Sequence, residues 1–342
     1  MIPAIPVIYR HIADRYRPGE TVVVAGSLAL GARVAQEKLG VPLAMIHLQP
    51  TAFRSRFEPP MHPGLEWIIQ VPTGLRPAVF RFMDYMIDGI YARPLNAFRA
   101  QLGLSPVKRV MDLWWHSPNL TLALFPSWYA APQPDWPPFV RVLDFPQFDA
   151  TELEANPQYL DDYFEDSEPP IVFTAGSAMK TAQDFFLVSA HACELLGRRG
   201  VFLTRYPEQL PQPLPALIRH VSFAPFGRIL PKASVFVHHG GIGTVAQALK
   251  AGVPQLIMPF SFDQLDNARR VQSLGAGLSL SRATYRESVV AEYLRWLLGD
   301  PSFRQRCAQH APAAAATTGI IDAVDLMEAN WSARQRAIAC ET

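Results

Sequence analysis

The sequence predicts an α/β protein built from two doubly wound, Rossmann-like domains. Three stretches predict it. Residues 223–264, FAPFGRILPKASVFVHHGGIGTVAQALKAGVPQLIMPFSFDQ, read as an apolar strand (SVFVHH), a glycine turn (GGIG), a helix from Thr244 to Ala251 stopped by Gly252 and Pro254, and a second strand (QLIMP). Residues 21–50 repeat the pattern as TVVVAGS, LALGARVAQEKLG and LAMIHLQP. So do residues 171–207, as IVFTAGS, AQDFFLVSAHACELLGRRG and VFLTRYP. Strand, helix, strand in this order makes parallel βαβ units.

The chain of 342 residues is long enough for two domains, each with a core of its own. With 49% hydrophobic and 18% charged residues, broad disorder is excluded. A formal net charge of +1 gives no electrostatic reason to expect nucleic acid as a partner. Cys193, Cys307 and Cys340 are far apart and odd in number, so no disulfide framework or zinc spacing follows, and a reducing cytoplasm is expected. Residues 1–20, MIPAIPVIYRHIADRYRPGE, lack a charged region followed by an apolar core and are not expected to be a secretory signal, and no apolar run reaches the roughly 18 residues of a spanning helix. Contact with the inner face of the membrane stays open.

In chain order, residues 2–16 read as a helix, followed by the βαβ unit of 21–50. Residues 51–120 hold apolar, aromatic-rich helices such as LRPAVFRFMDYMIDGIYARPLNAFRAQLGL, and then Leu113-Trp114-Trp115-His116. Those rings either pack a core or, as a group, favour an apolar ligand. LTLALFPSWY is a strand entering a loop, which closes a first domain at 1–148. The acidic stretch 149–169 is the expected linker. The second domain, 170–342, continues after Gln264 with a helix (DNARRVQSLG), a strand (LSLS), the helix RESVVAEYLRWLLGD and further C-terminal helix.

The glycine turn is where chemistry is expected. Gly240, Gly241 and Gly243 let backbone approach a ligand, and the helix start offers free N–H groups to an anion, so a phosphate or diphosphate is the natural occupant. Gly176-Ser177, after another strand, is a second candidate phosphate turn. Adjacent strand residues face opposite ways, so His238 and His239 cannot share a role. For the same reason they do not chelate, and no metal is expected.

His239 before the glycines, GVP after the helix, and Asp263-Gln264 at 24 and 25 positions beyond His239 resemble the donor motif of inverting nucleotide-sugar glycosyltransferases of the GT-B fold. GSLALGARVAQEKLGVP, the MHP segment and VFTAGS look like bacterial rhamnolipid rhamnosyltransferase catalytic subunits. The resemblance implies two Rossmann-like domains facing a cleft, and a metal-independent, cofactor-free transfer of a hexose or deoxyhexose, with rhamnose favoured. The acceptor would be an apolar or lipid hydroxyl compound. It implies that His239, the N–H groups from Gly241 to Thr244, the Thr244 hydroxyl and Ser177 meet the diphosphate. Asp263 and Gln264 would hold sugar hydroxyls, with Phe223 near the nucleobase and Ala224 bonding through its backbone. Gln247 stands where relatives carry a ribose-binding glutamate. A single amide acceptor suits deoxyribose, so a thymidine-diphosphate sugar is expected over a uridine one, unless Gln247 merely faces solvent.

The resemblance also places the catalytic base in a loop upstream of Met1, with roughly 80 residues expected before it, so the first domain is expected to be incomplete and the chain to transfer little sugar. His11, His47, His62 and His116 fall outside the corresponding motif. His62 and His116 could face the acceptor, although ordinary packing accounts for them better. Two other readings stay open: a nucleotide-sugar epimerase of the same fold, and a non-catalytic donor-binding module.

Overall fold

The computed structural model describes residues 2–148, 163–164, 168–316 and 318–341, with side chains described to Ser332. The chain divides into two compact units, Met1–Asp144 with Thr318–Thr342, and Phe145–Thr317. Most of the expected linker, 149–169, lies outside the described residues.

The first unit carries a four-stranded parallel sheet in the order β1-β2-β3-β4, formed by Val23–Gly26, Leu43–His47, Leu120–Ala123 and Val140–Val142. Helix α1 (Ala4–Ala13) packs on α2 (Leu30–Leu39) at Gly31, where a Cβ would stand 2.4 Å from the Ile5 carbonyl oxygen. Gly40, left-handed at φ 72°, ends α2 as its sequence indicates. The stretch 120–129 is a strand to Ala123 and then a loop, in which the Pro126 carbonyl accepts the Tyr129 and Ala130 N–H groups. Residues 51–120 contain one long helix, α3 (Arg76–Gln101), and a π-helical turn at Val110–Trp114.

The second unit holds a six-stranded parallel sheet in the order β10-β9-β8-β5-β6-β7. Its strands are Ile171–Thr174 (β5), Gly200–Leu203 (β6), Ile218–Val221 (β7), Val235–His238 (β8), Gln255–Ile257 (β9) and Gly277–Ser279 (β10). The interleaved helices are α4 (Gln183–Leu196), the short α5 (Phe226–Ile229), α6 (Ile242–Ala251), α7 (Gln264–Ser273), α8 (Glu287–Gly299) and α9 (Pro301–Ala315). Both sheet faces are covered, which is why the strands read as continuous apolar runs. Ile171, Phe173, Val235 and Val237 enter one core with Phe185, Phe186 and Phe202, while Val172 and Phe236 enter the other with Val201 and Leu230. The order is the dinucleotide-fold order, and it reverses between β5 and β8. That reversal is where open α/β sheets bind ligands.

One boundary differs from the sequence reading. The last helix, α10 (Gly319–Glu341), returns to the first unit instead of completing the second. Ala323 packs against Leu120, Leu122 and Leu124, and Asn330 donates to the Asn119 carbonyl at 3.1 Å. The apolar side of a helix carries no mark of which sheet it will cover, so chain order alone misplaces it.

Candidate functional site

The turns that follow β5 and β8 meet at the carboxyl edge of the second unit's sheet. His239, just beyond β8, is wedged between them. A Cβ on Gly176 (φ 92°) would come within 2.7 Å of the His239 ring, and one on Gly241 within 2.5 Å of its Nε2. These two glycines therefore make room for an imidazole as much as for a ligand. Gly240 (φ 89°) has its own reason, since a Cβ there would stand 2.7 Å from Ile257 Cγ2, while Gly243 borders open space. Burial holds His239 neutral, with its pKa lowered to about 4, and its Nδ1 is buried without a hydrogen-bond partner. An unsatisfied buried nitrogen costs about 1–3 kcal/mol. A group that supplies a partner, or a negative charge, recovers it.

His238 behaves differently, as the opposite-face argument requires. It accepts from the Gly240 N–H at Nδ1 (3.0 Å) and donates from Nε2 to Gln255 Oε1 (3.0 Å). Fully buried and satisfied, with a pKa lowered to about 3 by burial, it braces the glycine turn.

Helix α6 starts at Ile242, two residues before its sequence signal, with Gly241 as an extended N-cap and no side-chain cap. Its first N–H groups, those of Ile242, Gly243 and Thr244, thus have no intrahelical partner. Beside them is a cavity of about 260 Å³, walled by Gly176, Ser177, Phe223, Ala224 and Thr244, together with Phe148 and Arg205. Phe148 and Arg205 escaped the sequence reading. Arg205 lies 5.5 Å over the Phe223 ring, and Phe148 is 77% exposed. Gln247 does not face solvent: it is buried, and its Nε2 donates to the Phe148 carbonyl at 2.8 Å.

Asp263 and Gln264 stand in the loop after β9, at the start of α7, and do not border that cavity. Gln264 Oε1 accepts the N–H groups of Phe260 (2.7 Å) and Ser261 (3.0 Å), so only its amide hydrogens remain to meet a ligand. The loop is further held by Phe262 at φ 57°, a left-handed conformation rare for a bulky residue. Asn267, absent from the sequence reading, joins this loop to the glycine turn. Its Nδ2 donates to Gly240 O (2.9 Å) and to Asp263 Oδ2 (2.7 Å). Its spacing of four from Asp263 on a helix is the signal that could have found it.

The first unit has a larger cavity of about 450 Å³, bordered by Phe53, Phe80, Leu113 and His116 and by an ion cluster. Arg54 pairs with Asp84 (2.7 Å) and Asp112 (3.6 Å), and Arg109 pairs with the same two acids. His116 is already committed. Trp115 Nε1–H donates to its Nε2 (3.0 Å), its Nδ1 meets His47 Nε2 (3.0 Å), and His47 Nδ1 meets Ser27 Oγ (2.9 Å). That chain fixes both tautomers and leaves neither imidazole a lone pair for an incoming proton. Burial lowers the pKa of both, that of His116 to about 4. His62 does not border this cavity.

Residues 203–327 match the family described as erythromycin biosynthesis protein CIII-like, C-terminal domain. The chain is 28% identical over 310 residues to 4'-demethylrebeccamycin synthase of Lentzea aerocolonigenes, covering 90% of this chain and 73% of that protein. It is 30% identical over 242 residues to O-mycaminosyltylonolide 6-deoxyallosyltransferase of Streptomyces fradiae, covering 70% and 56%. Among solved structures, it shares its fold with the glycotransferase of kitacinnamycin, at a TM-score of 0.72 with 21% identity, over 96% of this chain and 80% of that one. It also shares it with spinosyn rhamnosyltransferase SpnG complexed with thymidine diphosphate, at a TM-score of 0.61 with 19% identity, over 95% and 80%.

Proposed function

We infer that this chain, a GT-B-fold protein with an EryCIII-like C-terminal domain, is a nucleotide-sugar glycosyltransferase that moves a deoxyhexose, rhamnose favoured, to an apolar hydroxylated acceptor. One observation carries the reading: a neutral histidine with a partnerless buried nitrogen is wedged between two glycine turns at the sheet's reversal point, next to an uncapped helix start. Such a place is built for a diphosphate.

In the transfer, the acceptor hydroxyl oxygen bonds to the anomeric carbon as the bond to the β-phosphate oxygen breaks; the electron pair leaves with the diphosphate, and the hydroxyl proton passes to water. His239, the N–H groups at the start of α6, Thr244 and Ser177 stabilise the charge that develops there. Asp263 accepts from sugar hydroxyls and Gln264 donates to them, which orients the anomeric carbon. The nucleoside occupies the cavity of Phe223, Ala224 and Phe148. The reading invokes neither metal nor other cofactor. A thymidine-diphosphate donor is favoured, because Gln247, its amide spent on Phe148, keeps a single acceptor oxygen for a sugar hydroxyl. His116 and His47 are not the acceptor's base, since their ring nitrogens are engaged.

The test is mass-spectrometric detection of glycosylated product from panels of thymidine- and uridine-diphosphate sugars paired with lipid-hydroxyl acceptors. A rhamnosylated acceptor is the expected product, formed slowly, since transfer without a general base loses about 10²–10⁴ in rate. An isomerised nucleotide sugar formed without acceptor would replace the reading with epimerisation. Donor binding without any product would reject transfer by this chain.

A further inference from the structure

Helix α3 presents a face that a surface helix ordinarily makes polar. Phe82, Met86 and Ile90, at successive positions four apart, are 65%, 56% and 63% exposed, with Tyr85 at 76% and Leu75 at 60%. Leu75 is the N-cap, and the other exposed positions of the helix are Ala78, Arg81, Gly89, Arg93, Ala97, Ala100 and Gln101. No carboxylate is among them. The two acids of the helix are both engaged away from that face: Asp84 is buried against Arg54 and Arg109, and Asp88 accepts the backbone N–H groups of Arg109 (2.6 Å) and Val110 (3.0 Å). What remains outward is an apolar ridge flanked by two arginines.

We propose that this face of α3 docks on an anionic phospholipid surface, with Phe82, Met86 and Ile90 entering the interface and Arg81 and Arg93 meeting the headgroups. A basic, apolar helical face with no acid has the composition of helices that lie in the membrane plane. No described helix is long and apolar enough to cross a membrane, so the contact is peripheral. Charge argues for lipid over a second copy, since a two-fold pairing of this face would set arginines against arginines. The docking also has a use: Pro77, Phe80, Arg81 and Asp84 of the same helix wall the first unit's cavity, Arg81 at the rim between cavity and exposed face, so an acceptor dissolved in the bilayer would enter beside its own solvent.

Flotation of the full chain with vesicles tests the proposal without any donor or turnover, and so separately from the transferase reading. Wild type is expected to float with vesicles of phosphatidylcholine and phosphatidylglycerol, and less with phosphatidylcholine alone. The Phe82→Gln/Met86→Gln/Ile90→Gln variant should bind both about tenfold or more weakly, with an unchanged circular dichroism spectrum. Arg81→Glu/Arg93→Glu should lose roughly 25-fold on the anionic vesicles alone, since each basic residue near such a surface contributes about fivefold. Wild type that floats with neither vesicle overturns the proposal, as does a triple variant that binds like wild type. A concentration-dependent dimer abolished by the triple variant, with no vesicle binding, would assign the face to a second copy. Should the triple variant fail to fold, anionic binding untouched by the arginine reversals would overturn it equally.

Discussion

At the scale of single residues, two adjacent histidines show how neighbouring positions take different tasks. His238 spends both nitrogens on Gly240 and Gln255, whereas His239 Nδ1 has no partner. The pair was readable from strand alternation and the glycines beside it. Gln247 was only half readable: a glutamine where a glutamate would grip a ribose diol is visible in sequence, but its bond to Phe148, 99 positions away, is not. That bond sharpens the expected specificity. With one acceptor oxygen left, binding of thymidine diphosphate should exceed that of uridine diphosphate by about fivefold, the worth of one neutral hydrogen bond. Competitive displacement of one diphosphate by the other measures it. A uridine preference unaltered by Gln247→Ala would contradict the assignment.

At the scale of elements, the βαβ units were legible because strands buried on both faces leave unbroken apolar runs between glycine turns. Helix α3 was less so, because apolar residues surround it and no periodic face marks its inner side. The acid-Gln loop and the glycine turn were read as parts of one motif from their spacing. Their mechanical link, Asn267, was missed because its bond to the Gly240 carbonyl spans 27 positions. Asn267→Ala should cost about 1–3 kcal/mol in urea unfolding, since the buried Gly240 carbonyl and Asp263 both lose a donor. It should also weaken thymidine diphosphate binding if the two turns act as one cradle. A variant with wild-type stability would show that the bridge contributes nothing.

At the scale of the whole molecule, the order of the second sheet could be inferred from the βαβ pattern, but the return of α10 to the first unit could not. Another whole-molecule property follows from the buried histidines. His47, His116 and His238 have pKa values depressed by burial, the latter two to about 4 and about 3. The unfolded chain therefore binds more protons as pH falls below the ordinary 6.5, so stability is full above that pH. It declines towards pH 4 by up to about 1.4 kcal/mol per pH unit per histidine. Melting temperatures recorded from pH 7 to 4.5 should drop steeply, already above the carboxylate range, and a flat profile would contradict the buried-neutral assignment. The central claim, that His239 and the two glycine turns form a diphosphate site, is tested most directly by calorimetric titration of thymidine diphosphate into wild type and His239→Ala. The account expects binding to wild type and a loss of about 1.5–3 kcal/mol, or roughly 10- to 150-fold, in the variant. Equal affinity in the two proteins would contradict it.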